Sequence, residues 1–225
     1  MPQSSNELKQ STSHTIVVGK AGTGKTSLIG TACEHEKVYV ISLENGLQSI
    51  ADKSFDYDEC SNYEDFKAKL NWFFKNYKER GYTMLAIDSL TRLQRLITQD
   101  MNNKSKSSKL TYDEFAELLA IMRKLCDVVT RSKDFSTIIT CLDVETKDDG
   151  KGIIKENPNL EGKFAFEVFG YFDNAVVSRV GKDKNGALTY WLEVAGDERT
   201  AAKTRMTHLR GKTTIPNDYK FLKVQ

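Results

Sequence analysis

The sequence predicts an α/β fold: a mainly parallel sheet flanked by helices, with an antiparallel hairpin at its C-terminal end. Three observations predict it. Short apolar runs alternate with helical periodicity through the first two thirds of the chain, a Gly-rich turn joins the first such run to a helix, and Lys184-Asn185-Gly186 joins two later strand-like runs. The length, 225 residues, suits one such domain, and 39% hydrophobic with 10% aromatic residues suffices for a core.

His14–Val18 (HTIVV) is an apolar run ending at Gly19, as a buried parallel strand would. Lys25–Glu36 reads as a helix and Lys37–Leu43 (KVYVISL) as the second strand. Ser61/Asn62 cap a helix that places Phe66, Leu70, Phe73, Phe74 and Tyr77 on one face and stops at Gly81. Tyr82–Ile87 (YTMLAI) is the third strand and ends in Asp88, with a helix following over Ser89–Thr98. From Leu96 to Leu110 the chain turns polar, which predicts a flexible loop.

Thr111 and Glu114 have capping-box spacing, and the helix they open carries Phe115, Leu118, Leu119, Met122, Leu125, Cys126 and Val129 along one stripe. Ser136–Leu142 (STIITCL) is the fourth strand. Asp143–Glu167 shows turn residues and little periodicity, which predicts a second loop or an irregular segment. Ala175–Val180 and Ala187–Val194 are the strands of the Asn-Gly hairpin.

A net charge of +2 excludes a uniformly basic nucleic-acid-coating protein. The charge is uneven: Arg199–Gln225 holds seven Lys/Arg against one Asp, a local +6, leaving the rest at about −4. The four cysteines form no C-x-x-C pair, and the apolar surroundings of Cys33, Cys126 and Cys141 read as buried free thiols of a reducing compartment. The three histidines are scattered, which argues against a zinc cage. With no apolar run near membrane-span length and no signal-like N-terminus, the expectation is a soluble cytoplasmic protein with no membrane partner.

The chemistry concentrates between Gly19 and Ser27. Gly19-Lys20-Ala21-Gly22-Thr23-Gly24-Lys25-Thr26 matches G-x-x-x-x-G-K-[ST] where a strand runs into a helix, as a phosphate-binding loop requires. Glycines let successive N–H groups point inward, and the helix N-terminus adds partial positive charge. Lys25 then reaches the β- and γ-phosphates, and the Thr26 hydroxyl ligates Mg²⁺, so ATP and Mg²⁺ are the expected ligands. Asp88, at the end of a buried strand, is the expected carboxylate of the magnesium shell. Ser89 follows it where helicases and AAA-type proteins carry an adjacent Glu. The expected water activator is therefore Glu44, directly after the second strand at the same rim.

Together these segments resemble the RecA-like recombination ATPases, in which a strand-end Glu (here VISLENGL) and an Asp-Ser (here LAIDSLTRL) follow the phosphate loop. More narrowly, Asn157–Lys163, Gly170–Asp173 and Lys203–Arg205 make the chain similar to the short phage RecA-like ATPases grouped with single-strand annealing proteins, the fourth Sak group. The likeness covers roughly Thr15 to Tyr219.

The polar residues 1–13 read as a flexible segment and 199–225 as a basic C-terminal segment, and the resemblance makes 14–198 a RecA-like P-loop ATPase domain. It implies an ATPase stimulated by single-stranded DNA in phage recombination. The partners it implies are single-stranded DNA, further copies in a ring or filament, and a single-strand DNA-binding protein, all in the host cytoplasm. By position, loops Met101–Leu110 and Lys147–Lys163 would meet DNA, through Lys104, Lys106 and Lys109 in the first and Lys151 and Lys155 in the second. Lys203 and Arg205 would reach a neighbouring subunit's γ-phosphate as trans fingers, or form a basic face.

Two departures stand out. Thr140-Cys-Leu142-Asp143 occupies the place of the usual polar sensor, and from the 225 residues the expectation is that the extra N-terminal polymerisation domain is not present. A helicase-like motor and a nucleotide-dependent binding module with little hydrolysis are the competing readings.

Overall fold

The computed structural model describes residues 11–106, 108–147 and 153–224. Strand β1 (His14–Val18), β2 (Val38–Ser42), β4 (Met84–Asp88) and β5 (Ser136–Cys141) are buried at every position, as the continuous apolar runs predict. With β3 (Asp56–Glu59) and β8 (Asn174–Lys182) they form a parallel set in the order β8-β1-β5-β4-β2-β3. Strand β9 (Leu188–Glu193) pairs antiparallel with β8 through the Asn-Gly turn. β10 (Lys203–Thr204) and β11 (Thr214–Pro216) complete a nine-stranded sheet among the described residues.

Because successive strand side chains point to opposite faces, one sheet feeds two cores. Ile16, Val18, Tyr39, Ile41, Leu85 and Ile87 pack on the side of helices α2 (Tyr63–Arg80), α3 (Leu90–Ser105), α4 (Tyr112–Thr130) and α5 (Phe164–Glu167). Val17, Val38, Val40, Met84 and Ala86 face α1 (Lys25–Ala32). Met206, Leu209, Ile215, Tyr219 and Leu222 are buried in this second core, so the described part of the basic C-terminal segment, 199–224, closes the α1 side.

Phe73, fully buried, meets Phe135 edge-on at 5.0 Å and stacks on Tyr39 at 5.6 Å between ring centroids. Burying such a ring contributes about 1.5–3 kcal/mol. Asn62 caps α2 by accepting the Asp65 N–H, Gly81 ends it with φ 70°, and both arms of the Thr111/Glu114 capping box are present.

Three expectations need correction. The polar stretch from Leu96 to Leu110 is not a loop from the outset: α3 continues to Ser105, since Leu96, Ile97 and Met101 keep a buried stripe and Asp100 bonds Lys104 one turn on. The segment Asp143–Glu167 is not irregular: β6 (Asp143–Lys147) and β7 (Ile154–Pro158) form a separate antiparallel hairpin, and α5 follows. β6 is largely exposed, and β7 buries only Asn157 and Pro158, so neither shows a hydrophobic alternation. β3 has no apolar signature in the sequence because DYDE is an exposed, charged edge strand. Among the cysteines, all four are free; Cys60, Cys126 and Cys141 are buried, whereas Cys33 is half-buried.

Candidate nucleotide site

The loop between β1 and α1 is shaped by close packing against β8. A Cβ on Gly19 would stand 2.8 Å from the Ser178 carbonyl oxygen and from Thr23 Oγ1, so only glycine fits. Gly24 takes φ 87°, the left-handed turn from which α1 starts. Its carbonyl accepts from Asn217 Nδ2 at 2.9 Å. The loop is buttressed by Thr23, whose hydroxyl donates to Lys20 O at 2.8 Å and lies 2.6 Å from Ser178 Oγ.

Lys25 Nζ donates to Gly19 O and Lys20 O, both at 2.7 Å, bending back over the loop. Burial pushes its pKa below the usual lysine value, with Asp88 and Asp143 opposing the shift. Thr26 Oγ1 donates to Asp88 Oδ2 at 3.0 Å. The other Asp88 oxygen accepts from Thr140 Oγ1, one strand away on β5. Burial raises the Asp88 pKa, against the hydrogen bonds from Thr140 and Thr26. Glu44 stands where β2 ends, its backbone carbonyl held by Ser42 Oγ at 2.6 Å and its carboxylate accepting from Ser89 Oγ.

Ala21, Gly22, Gly24, Lys25, Thr26, Ser27, Glu44, Asp88 and Ser89 line one cavity of about 310 Å³, with Leu142 and Tyr190. The predicted phosphate loop, magnesium carboxylate and strand-end Glu are thus brought together. Thr140, Ser42, Tyr190 and Asn217 went unpredicted. A strand Thr and Ser carry no signal apart from burial, and Tyr190 and Asn217 approach from distant chain.

The remaining predicted residues lie elsewhere. Lys203 pairs with Ala175 and Thr204 with Asn174 at the start of β8, the rim opposite the phosphate loop. Arg205 reaches Asp173 at 3.4 Å there. Neither can touch its own chain's nucleotide. Lys104 is bound by Asp100 at 2.7 Å and Glu64 at 3.5 Å. Lys106 ends α3 in the left-handed region, Lys109 precedes α4, and Lys155 lies on β7. Lys151 falls outside the described residues. At the sensor position Leu142 N–H donates to Thr91 Oγ1 at 3.0 Å, and burial raises the pKa of the following Asp143. Glu145 on β6 pairs with Lys20 of the phosphate loop at 2.5 Å.

The donor set fits Mg²⁺ and a polyphosphate. Thr26 and Asp88 present hard oxygens side by side, and a Cβ on Gly46 would come within 3.5 Å and 3.6 Å of them, so glycine keeps that approach open. A strand-end loop of this form, its lysine and a hydroxyl–carboxylate pair on adjoining elements define a P-loop NTPase.

The chain belongs to the AAA domain family, whose model matches residues 12–206. No curated protein matches it. Membership carries an ATPase-type domain that binds nucleotide, typically with Mg²⁺. Ser89, expected from the sequence to separate the chain from AAA-type proteins, does not do so. The adjacent Asp-Glu is missing all the same, and the carboxylate beside Ser89 is Glu44, from the neighbouring strand.

The raised Asp88 pKa gives a pH prediction. Only the ionised carboxylate attracts a dication, so Mg²⁺-dependent nucleotide affinity falls as pH drops through a midpoint above the ordinary 3.8. Fluorescent ATP-analogue titrations with and without Mg²⁺ across the acid range measure it. In Asp88→Asn the Mg²⁺-dependent part disappears at every pH; persistence of the same midpoint in that variant would exclude Asp88.

Proposed function

We propose that the chain hydrolyses ATP with Mg²⁺, binds single-stranded DNA and acts as a homo-oligomer in phage recombination or annealing. The observation that carries the hydrolytic part is the position of Glu44: its carboxylate, tied to Ser89, faces the cavity that Lys25, Thr26 and Asp88 also line. Lys25, freed from the two loop carbonyls, neutralises the β- and γ-phosphates, while the loop amides and the α1 N-terminus hold the remaining oxygens. Thr26 and Asp88 would hold the Mg²⁺, which when bound offsets charge on the triphosphate. Glu44 orients the attacking water and takes its proton.

The DNA and oligomer parts rest on the resemblance to phage RecA-like ATPases. Two features support them. The β6–β7 hairpin, at the position of a DNA-contacting loop, touches the phosphate loop through Lys20–Glu145. Lys203 and Arg205, remote from their own site, are left to act on a neighbour's. The non-polar Leu142 at the sensor position favours a second reading, a binding module with little turnover.

Phosphate release with Mg²⁺·ATP, with and without single-stranded DNA, separates the two. Turnover that DNA accelerates severalfold is expected. No turnover under either condition would leave only the binding module.

A further inference from the structure

Along the solvent side of α3 lie the exposed residues Arg92, Arg95, Gln99 and Asn103, and the exposed Lys106 is the residue that ends the helix. At about 100° per residue these four helical positions fall within a wedge of about 80° that runs roughly 16 Å along the axis, and Lys106 follows at its C-terminal end. No carboxylate interrupts the wedge. The helix's one acid, Asp100, lies off it and is bound to Lys104. Among the described residues Arg92, Arg95 and Lys106 enter no ion pair, unlike Lys104, which two carboxylates already hold. A row of three unneutralised cations with amides between them is complementary to a phosphodiester backbone, whose oxygens accept from guanidinium, ammonium and amide alike.

The row also begins at the nucleotide site. Ser89 caps α3 by accepting the backbone N–H of Arg92 at 3.2 Å, and that same hydroxyl donates to the Glu44 carboxylate. Arg92 further lines, with Glu44, Asn45 and Glu59, a cavity of about 660 Å³ beyond Glu44. A strand seated on Arg92 therefore borders the same space as the proposed water activator.

From the unpaired cations Arg92 and Arg95 on one face of α3 and Lys106 at its end, we infer that this side of α3 is the phosphate-contacting surface for single-stranded DNA. This rests on the DNA-binding reading above and supplies its location, which the loop lysines alone do not. It also places DNA beside the cavity that Glu44 lines.

Fluorescence anisotropy of a labelled oligothymidylate with the full chain, at several salt concentrations between about 50 and 200 mM, tests the inference. In Arg92→Ala/Arg95→Ala/Lys106→Ala the plot of log affinity against log salt becomes shallower by about 2, at about 0.7 for each phosphate the variant leaves without a cation. Lys133→Ala, exposed at the opposite end of β5, keeps the wild-type slope. All the replaced side chains are exposed, so melting temperatures hold and loss of fold is not mistaken for loss of binding. A triple variant with the wild-type slope, or equal losses in Lys133→Ala, overturns the placement and leaves DNA binding intact. A wild-type chain that shows no salt-dependent binding removes the DNA reading itself.

Discussion

Glu44→Gln keeps Mg²⁺·ATP bound and slows phosphate release by about 10²–10⁴-fold, the range of a lost general base. The substitution changes little in the resting site. The amide oxygen still accepts from Ser89 Oγ, the backbone carbonyl still accepts from Ser42, and the side chain keeps its length. What goes is the capacity to take a proton from water, because a neutral amide is not a base at any working pH. Ground-state binding therefore survives while the barrier rises by about 3–5 kcal/mol. The split is the diagnostic: KM holds near the wild-type value and kcat carries the loss. Single-turnover phosphate release measures it directly. Equal rates for Glu44→Gln and wild type would take Glu44 out of the mechanism and leave its contact with Ser89 as a structural tie.

How much of this site could be read from the chain alone depends on how local each signal is. The phosphate loop is contiguous, so eight successive residues carry both its geometry and its chemistry. β1, β2, β4 and β5 are buried on both faces and announce themselves as apolar runs, and Thr111/Glu114 announce α4 by a hydrogen-bond box only four residues long. The strand ends at Glu44 and Asp88 were legible because polar residues that follow such runs must emerge at one rim.

Signals fail where structure is made by partners distant in sequence or by exposed backbone. β6 and β7 pair with each other and bury little, so nothing in their side-chain pattern separates them from a loop. Lys104 reads as an available cation until the fold brings Glu64 of α2 beside it. Thr140 is one hydroxyl in a buried run, and its bond to Asp88 exists only because β5 lies beside β4. Arg92 and Arg95 lie in a segment that reads as a short helix. Their alignment with Lys106 depends on α3 continuing to Ser105, which the polar composition obscured.

Lys25→Ala abolishes the stabilisation that Mg²⁺·ATP confers on the chain. Bound phosphate oxygens would replace the two neutral carbonyls that Lys25 Nζ now contacts at 2.7 Å. Each charge-assisted hydrogen bond of this kind contributes about 1.5–3 kcal/mol. Losing two lowers affinity by about 10²–10⁴-fold. A ligand at 100 times its Kd raises stability by about 2.7 kcal/mol, and the same concentration does almost nothing once the Kd has moved that far. The ligand-free chain responds differently, because two effects oppose each other. The Gly19 and Lys20 carbonyls lose a donor, which destabilises. A partly desolvated ammonium is also removed: its pKa is lowered in the fold, so at neutral pH its charge costs stability, a cost that fades only as pH rises through the lowered value. The melting temperature without nucleotide therefore moves little, and the shift on adding Mg²⁺·ATP vanishes. Differential scanning calorimetry with and without Mg²⁺·ATP reads both numbers in one series. A Lys25→Ala chain that still gained the full wild-type shift would mean the triphosphate is held somewhere other than the loop between β1 and α1.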